Sequence, residues 1–221
     1  MDRHFVSRLL TVITAMAVVM SFVALPSAQR SQTEGIKEAE KFVNAGAGTA
    51  SAVGKAKLQV QDTLTAYNGL VTLPTKDMKG DYRKLLNRAK DTGKRVDEAR
   101  ERVTKMEAAG ETYFAGRATT ITEIQDAALR EKAQQRLNEN KQEYSIVIAS
   151  LREAGESLQS MRNDLDNHIT YLGSDLSPSA VASLKPEAQK LNESGTQVLA
   201  KAEQAIATAN KYFDSMRPTK S

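Results

Sequence analysis

The sequence predicts an all-α protein, an elongated antiparallel helical bundle or coiled coil of about four helices. Ala, Gln, Glu, Lys and Arg dominate a chain of 221 residues with 5% aromatic residues and no Trp, which is typical of long helices. Apolar residues recur at alternating steps of three and four, a spacing that keeps one narrow seam of each helix against a partner. Reversal signals separate these series, so we expect helices over residues 35–71, 77–125, 127–172 and 178–216.

The first helix, 35–71, has the least regular pattern. Ile36, Ala39 and Val43 begin a series, but "NAGAGTASAVG" follows, and the series resumes only at Val53. Each of the three glycines in this segment weakens a helix by about 1 kcal/mol relative to alanine. The sequence therefore predicts a first helix weakened near 44–54, with a frayed or broken lead-in before residue 50. The corresponding division is a flexible, Gly-rich lead-in over 29–52, a helical bundle over 53–216 and a tail over 217–221.

The second and third helices carry unbroken seams. Pro74 ends the first helix and Asp77 caps the second. Asp126 can cap the third, although nothing in that stretch forbids a continuous helix. Each of these two helices would extend roughly 70 Å at about 1.5 Å per residue. The second seam consists of Tyr82, Leu85, Ala89, Thr92, Val96, Ala99, Val103, Met106, Gly110 and Tyr113. The third consists of Ala133, Leu137, Asn140, Tyr144, Val147, Leu151, Ala154, Leu158, Met161, Leu165, His168 and Leu172.

The stretch "YLGSDLSPSAVASL", residues 171–184, marks the hairpin into the fourth helix. Gly173 suits the left-handed position after a helix end, and Ser177 followed by Pro178 is a cap with proline in the first turn. Pro186 would remove a backbone hydrogen bond one turn into this helix. We therefore expect a short piece over 178–185 and a main rod over 186–216.

Residues 1–28, "MDRHFVSRLLTVITAMAVVMSFVALPSA", have the pattern of a secretory signal peptide. Arg3 and Arg8 precede an uncharged apolar run over residues 9–25, and Ser27 and Ala28 offer small residues to a peptidase. Pro26 makes the cleavage flank a poor one, so an uncleaved membrane anchor over residues 9–25 stays open as the alternative. Both interpretations predict a periplasmic or otherwise exported protein, with membrane contact through the N-terminus in the second.

Three stretches carry a family resemblance: "DYRKLLNRAKDTGKRVDEARERVTKMEAAGETYF", "DAALREKAQQRLNENKQEYSIVIASLREAGESLQSM" and the hairpin. Leu176 to Leu184 is similar to a Leu-Asn-x-x-x-Ile-Ala-Ser-Leu pattern, with Ser177 in place of Asn and Val181 in place of Ile. From about residue 53 to residue 213, the chain resembles an uncharacterised family of exported bacterial coiled-coil proteins of proteobacterial type, a domain of unknown function. The resemblance implies the bundle and export, and it implies no activity.

Charge and cysteine content narrow the classes of function. The net charge of +4 arises from 31 basic and 27 acidic residues that are interleaved along the chain. Nucleic-acid binders more often concentrate Lys and Arg on one face, so we expect no nucleic-acid partner. The chain has no Cys, which excludes disulfides, thiolate metal sites and Cys nucleophiles.

The sequence predicts no catalytic, cofactor-binding or metal-binding residue. "GTASAVGKA" (48–56) has five residues between its glycines and Ala56 after Lys55, whereas a phosphate loop needs four residues and Ser or Thr. His168 is the one histidine beyond the signal segment, and a single histidine builds no multi-His metal site. We expect it to be solvated or bonded to a partner, and we expect a helical segment at 48–56.

The carboxylates and tyrosines are also expected to have structural roles and no role in a chemical site. Di-iron bundles place Glu-x-x-His on facing helices, and no Glu-x-x-His occurs in this sequence. The tyrosines on or beside the seams are expected to be core residues with hydroxyls at the edge, with a recognition stripe as the alternative. The carboxylates considered are Glu98, Glu101, Glu107, Glu111, Glu153 and Glu156, and the tyrosines are Tyr82, Tyr113, Tyr144, Tyr171 and Tyr212.

The sequence thus predicts a non-enzymatic exported protein without cofactors, an envelope scaffold or adaptor that acts through helix surfaces. Its expected partner is an unidentified envelope protein or a second copy of the chain. The alternative is a membrane-anchored, self-associating envelope protein held by an uncleaved N-terminus.

Overall fold

The computed structural model describes residues 27–217, which form five helices and no strand. The helices are α1 (Ser27–Thr72), α2 (Met78–Thr122), α3 (Ala127–Ser174), α4 (Pro178–Ser183) and α5 (Lys185–Ser215). The predicted signal segment up to residue 26 and the tail from residue 218 lie outside the described residues.

The long helices form an antiparallel four-helix bundle. α1 packs against α2, α2 against α3, α3 against α5 and α5 against α1, which closes a ring around one core. α1 and α3 also meet across the diagonal, and the short α4 rests on α1 and α5. With 45 residues, α2 is about 68 Å long. The predicted all-α, elongated bundle is confirmed.

The turns use the predicted capping residues. Asp77 accepts a hydrogen bond from the backbone N–H of Gly80 at 2.9 Å, and Asp126 accepts one from that of Leu129 at 2.9 Å. Ser177 caps α4, and Pro178 stands in the first turn. The break before the main rod also occurs, since α5 begins at Lys185 with Pro186 in its first turn, where a missing N–H costs nothing.

The prediction for Gly173 was wrong. α3 continues to Ser174, and Gly173 is a helical residue outside the left-handed region. A Cβ at this position would lie 2.4 Å from the hydroxyl oxygen of Tyr82. Gly173 therefore allows Tyr82 of α2 to lie against α3, and Asp175, in extended conformation, ends the helix instead.

The core follows the predicted seams but is wider than they are. Nearly all seam positions of α2 and α3 are buried or half-buried, and each helix buries an adjoining flank as well. A bundle helix with two neighbours needs such a broad apolar stripe. The additional buried residues include Phe42, Gly93, Phe114, Ile121, Gly155, Ile169 and Phe213. Ile36, expected at the start of the first seam, is 56% exposed.

The helix α1 runs without a break through the Gly-rich segment, where the sequence predicted a weakened helix and a broken lead-in before residue 50. Packing explains the difference, because Ala50, Ala52 and Val53 are buried in the core and tertiary contacts outweigh intrinsic helix propensity. A Cβ at Gly46 would lie 2.3 Å from the ring of Phe213. The glycine thus lets an α5 ring lie directly on the α1 backbone.

One end of the bundle contains three helices rather than four. Phe213 and Tyr212, near the end of α5, contact Phe42 of α1 and Tyr144 of α3. α1 begins about 22 Å and α3 about 25 Å beyond these contacts, at Ser27 and Ala127. We call this overhang, residues 27–41, 115–122 and 127–143, the open end. Ile36 is exposed there because α5 has already ended.

Replacing Gly46 with alanine tests the close approach of α5. We expect Gly46→Ala to lower the free energy of unfolding by about 1–3 kcal/mol, because the buried ring of Phe213 must shift. Gly69 is the matched control, since nothing lies within 4 Å of its added Cβ. Gly69→Ala should stabilise the protein by up to about 1 kcal/mol through helix propensity. Urea unfolding measures both, and equal stabilisation by the two variants would contradict the packing described.

Candidate functional site

A hydrogen bond and a ring contact join Tyr67 of α1 to His168 of α3. The Tyr67 hydroxyl lies 2.6 Å from Nδ1 of His168, and the two rings meet edge to face with centroids 5.2 Å apart. Tyr67 is fully buried and His168 is half-buried. His168 was expected to be solvated or bonded to a partner, and in the structure it is bonded to Tyr67.

Burial sets the ionisation of this pair. Desolvation raises the pKa of Tyr67 to about 12, with a further contribution from the nearby carboxylate of Glu187. Desolvation also lowers the pKa of His168, against the opposing influence of Asp164 and Glu187. Both shifts favour the neutral forms near pH 7. The pair is therefore a neutral hydrogen bond that links α1 to α3 across the bundle diagonal.

Three other seam tyrosines use their hydroxyls to join helices. Tyr82 donates to the carbonyl of Ile169 at 3.1 Å, Tyr144 to that of Met106 at 2.7 Å, and Tyr212 to that of Asn140 at 3.3 Å. Burial raises the pKa of Tyr144 and Tyr212. Tyr113 is buried, and Tyr171 is 44% exposed with its hydroxyl 3.3 Å from Ser183 Oγ. Tyr113, Tyr144 and Tyr212 are core residues as expected, Tyr82 is half-buried against the core, and Tyr171 is exposed.

An aromatic layer next to the open end was missed by the seam analysis. Phe42 stacks on Tyr113 with ring centroids 4.5 Å apart and meets Phe114, Tyr144 and Phe213 at 5.4–5.7 Å. The layer draws rings from all four long helices. A sequence signal was present, since Phe42, Phe114 and Phe213 each directly adjoin a seam residue, but a strict spacing of three and four omits them.

Two inter-helix polar contacts also went unrecognised. Thr63 of α1 and Thr92 of α2 are buried with their hydroxyl oxygens 2.8 Å apart, and Thr63 also donates to the carbonyl of Gln59 at 3.0 Å. Asn68 of α1 and Asn192 of α5 exchange amide hydrogen bonds in both directions. Such pairs fix the register of neighbouring helices, because a slip would leave buried polar groups unsatisfied.

Most of the six candidate carboxylates form ion pairs on the surface of the bundle. Glu98 bonds Arg95 at 2.9 Å, Glu101 pairs with Lys105, Glu153 with Lys201 and Glu107 with Arg152. Within residues 27–217, no group of three His, Cys, Asp or Glu residues is arranged to hold a metal ion. The structure does not bring Glu111 or Glu156 into a cluster with His168.

A cleft of about 420 Å³ lies between α2 and α3. Arg100, Glu107, Arg152 and Glu156 line it, and Arg152 Nε is 3.0 Å from Glu107 Oε1. Asp97 and Glu101 line the cleft as well, and they pair with Arg162 and Lys105, which lie outside the lining. The lining therefore carries four carboxylates and two guanidinium groups, which gives it a net negative charge.

The segment "GTASAVGKA" (48–56) lies within α1. Thr49 is buried and donates to the carbonyl of Ala45 at 2.9 Å, while Lys55 is exposed on the opposite side. A phosphate loop needs successive backbone N–H groups turned towards one point, and these N–H groups belong to a continuous helix. The helical interpretation of this segment is confirmed.

A family model with the description "Protein of unknown function (DUF2959)" matches residues 29–216. No curated protein and no solved structure matches the chain. Across the described range 27–217, no helix combines the length and the apolar character that crossing a membrane requires.

The pH dependence of stability tests the Tyr67–His168 contact. In the unfolded chain His168 binds a proton near its ordinary pKa of 6.5, and in the folded protein its pKa is lower. Stability is therefore fully present above pH 6.5 and is lost as the pH falls through the folded pKa. We expect the free energy of unfolding of His168→Gln, measured with urea from pH 8 to pH 5, to depend less steeply on pH.

Tyr67→Phe is the matched control for this measurement. It removes the same hydrogen bond but keeps the titrating imidazole, so it should lower stability at every pH and retain the acid-dependent slope. Parallel pH profiles for the unmodified protein and His168→Gln would contradict the burial of His168 in its neutral form.

Proposed function

The chain belongs to the DUF2959 family of proteins of unknown function, and on that premise we propose that it is a non-enzymatic scaffold or adaptor of the cell envelope. In this proposal the protein acts through the outer surfaces of its helices, and its partner is an envelope protein or a second copy of the chain.

The proposal rests on one observation: the histidine and most of the buried tyrosine hydroxyls, the groups best suited to catalysis, form hydrogen bonds between helices. His168 and the hydroxyls of Tyr67, Tyr82, Tyr144 and Tyr212 are all bonded to another helix. These groups hold the bundle together instead of converging on a common point where a substrate could react. The long outer faces, about 68 Å from end to end, are the part of the molecule that remains available to partners.

The N-terminal sequence supports an envelope location. Arg3 and Arg8, followed by the apolar run over residues 9–25 and the small residues Ser27 and Ala28, form a signal-peptide pattern. Export through such a segment would deliver the bundle to the periplasm or beyond. No Cys is available for a lipid anchor.

The alternative proposal is a membrane-anchored, self-associating protein held by an uncleaved segment over residues 9–25. The position of the open end favours it, because the anchor would lead directly into α1 at that end. Ile36 of α1 and Leu129 of α3 are exposed there, where α5 no longer covers the other helices. Self-association through this region would bury them.

In-cell cross-linking of the tagged full-length chain distinguishes the two proposals. A photoreactive residue would be placed at Ile146 of α3 and, separately, at Leu58 of α1, both highly exposed. Mass spectrometry would identify the captured partner and the N-terminal residue of the protein. We expect reproducible capture of one envelope protein and a processed chain that begins at Ala28 or Gln29.

Samples without irradiation provide the control for background capture. Capture of the protein by itself alone, with Met1 or Asp2 still attached, would support the anchored alternative. The absence of any specific cross-link from either position would contradict the scaffold proposal.

A further inference from the structure

The end of the bundle opposite the open end carries an exposed apolar turn with basic neighbours. We call residues 73–84, the α1–α2 connection and the first turns of α2, the basic tip. Its residues 73–77 are all exposed, and Leu73 is 76% exposed. No other large apolar residue within 34–217 is exposed to this extent. Pro74, the next residue, is also exposed and extends the apolar surface of this turn.

The basic tip has more cations than carboxylates, and most of its cations have no ion-pair partner among the described residues. Four cations, Lys76, Lys79, Arg83 and Lys84, face two carboxylates, Asp77 and Asp81, for a net charge of +2. Lys84 pairs with Asp81 at 3.0 Å. Within the described residues the other three cations form no ion pair.

The two carboxylates have structural duties at the turn. Asp77 caps α2 through the backbone N–H of Gly80. Asp81 accepts a hydrogen bond from the hydroxyl of Thr75 at 2.5 Å as well as from Lys84. Both carboxylates are therefore engaged in hydrogen bonds of the turn. Lys76, Lys79 and Arg83 lie on the exposed surface without a carboxylate partner among the described residues, and Arg83 Nε donates only to the carbonyl of Lys79 at 3.3 Å.

From this juxtaposition of an exposed leucine and three unpaired cations, we propose that the basic tip docks on the surface of an anionic lipid bilayer. Leu73 enters the interface between headgroups and acyl chains, and the cations contact the headgroup phosphates. An apolar insertion and a basic rim are the two terms that drive interfacial membrane binding. Tyr171, on the last turns of α3 at this same end, is a residue type that favours the bilayer interface.

The shape of the tip favours a bilayer over a protein partner. A convex turn of a few residues presents far less surface than the roughly 800 Å² that each side of a stable protein complex usually buries. A fluid bilayer can surround a convex apolar point and needs no complementary pocket. The cations then supply the affinity for an anionic surface, at a level that falls as salt screens them.

This site lies about 69 Å along α1 from Ser27, so it is distinct from the N-terminal membrane contact considered above. The proposal goes beyond the scaffold function and does not depend on the identity of the partner protein. If the N-terminal segment and the basic tip both bind membrane, the bundle would connect one membrane surface at its open end to another at the basic tip.

Position-specific fluorescence tests the proposal on the full-length chain. The protein has no Cys, so Leu73→Cys can be labelled with an environment-sensitive nitrobenzoxadiazole probe. Vesicles of 70% phosphatidylcholine and 30% phosphatidylglycerol should shift its emission to the blue, and vesicles of pure phosphatidylcholine should not. Leu58→Cys is the matched control, because Leu58 is 60% exposed in the middle of α1 and should give no shift.

Charge reversal tests the electrostatic part. We expect K76E/K79E/R83E to lower the apparent affinity at the Leu73 probe by about 100-fold or more, since each of the three basic residues near an anionic surface contributes about fivefold. The control K132E/R136E/K141E makes the same change of charge on α3 near the open end and should leave the affinity unchanged. Far-ultraviolet circular dichroism checks that every variant keeps its helical content.

Several results would overturn the proposal. Vesicle binding with no spectral change at Leu73 would place membrane contact elsewhere, at the N-terminal segment for example. Equal changes at Leu73 and Leu58 would indicate non-specific adsorption. A spectral change that needs no vesicles and grows with protein concentration would assign the tip to self-association. None of these results would affect the cross-linking outcome on which the scaffold function depends.

Discussion

The aromatic layer around Phe42 is the contact on which the rest of the bundle depends. Its rings come from α1, α2, α3 and α5, and Phe42 touches a ring on each of the other three helices. Aromatic pairs of this kind bury large areas and add directional contacts. The layer is also where α5 ends, so it closes the four-helix part of the bundle and starts the three-helix open end.

Small residues make that closure possible at the layer itself. Gly46 lets Phe213 reach the α1 backbone, and a Cβ at Gly110 would lie 2.4 Å from the hydroxyl of Tyr144. Towards the opposite end of the bundle, Tyr67–His168 and Asn68–Asn192 link α1 to α3 and to α5. Apolar burial supplies the driving force, and the buried polar bonds select one register among several that the repetitive seams would allow.

Much of the fold could be predicted from the sequence, because its signals are local. The caps at Asp77, Asp126 and Ser177 mark where α2, α3 and α4 begin, and the steps of three and four identify most buried positions. The aromatic layer, the polar pairs and the continuous α1 were missed because they depend on contacts between distant segments. Gly46 weakens an isolated helix, yet in the folded protein it receives a ring from α5. The charge of the basic tip was visible in the sequence, but the exposure of Leu73 beside unpaired cations required the structure.

The most direct test of the account is the stability of Phe42→Ala beside that of Ile36→Ala. Both lie on α1 within two turns of each other, but Phe42 is buried and Ile36 is exposed. We predict that Phe42→Ala lowers the free energy of unfolding by about 3–5 kcal/mol, and that Ile36→Ala changes it by less than about 0.5 kcal/mol. Urea midpoints that do not vary with protein concentration would show that the core closes within one chain. Similar effects of the two substitutions would contradict this closure.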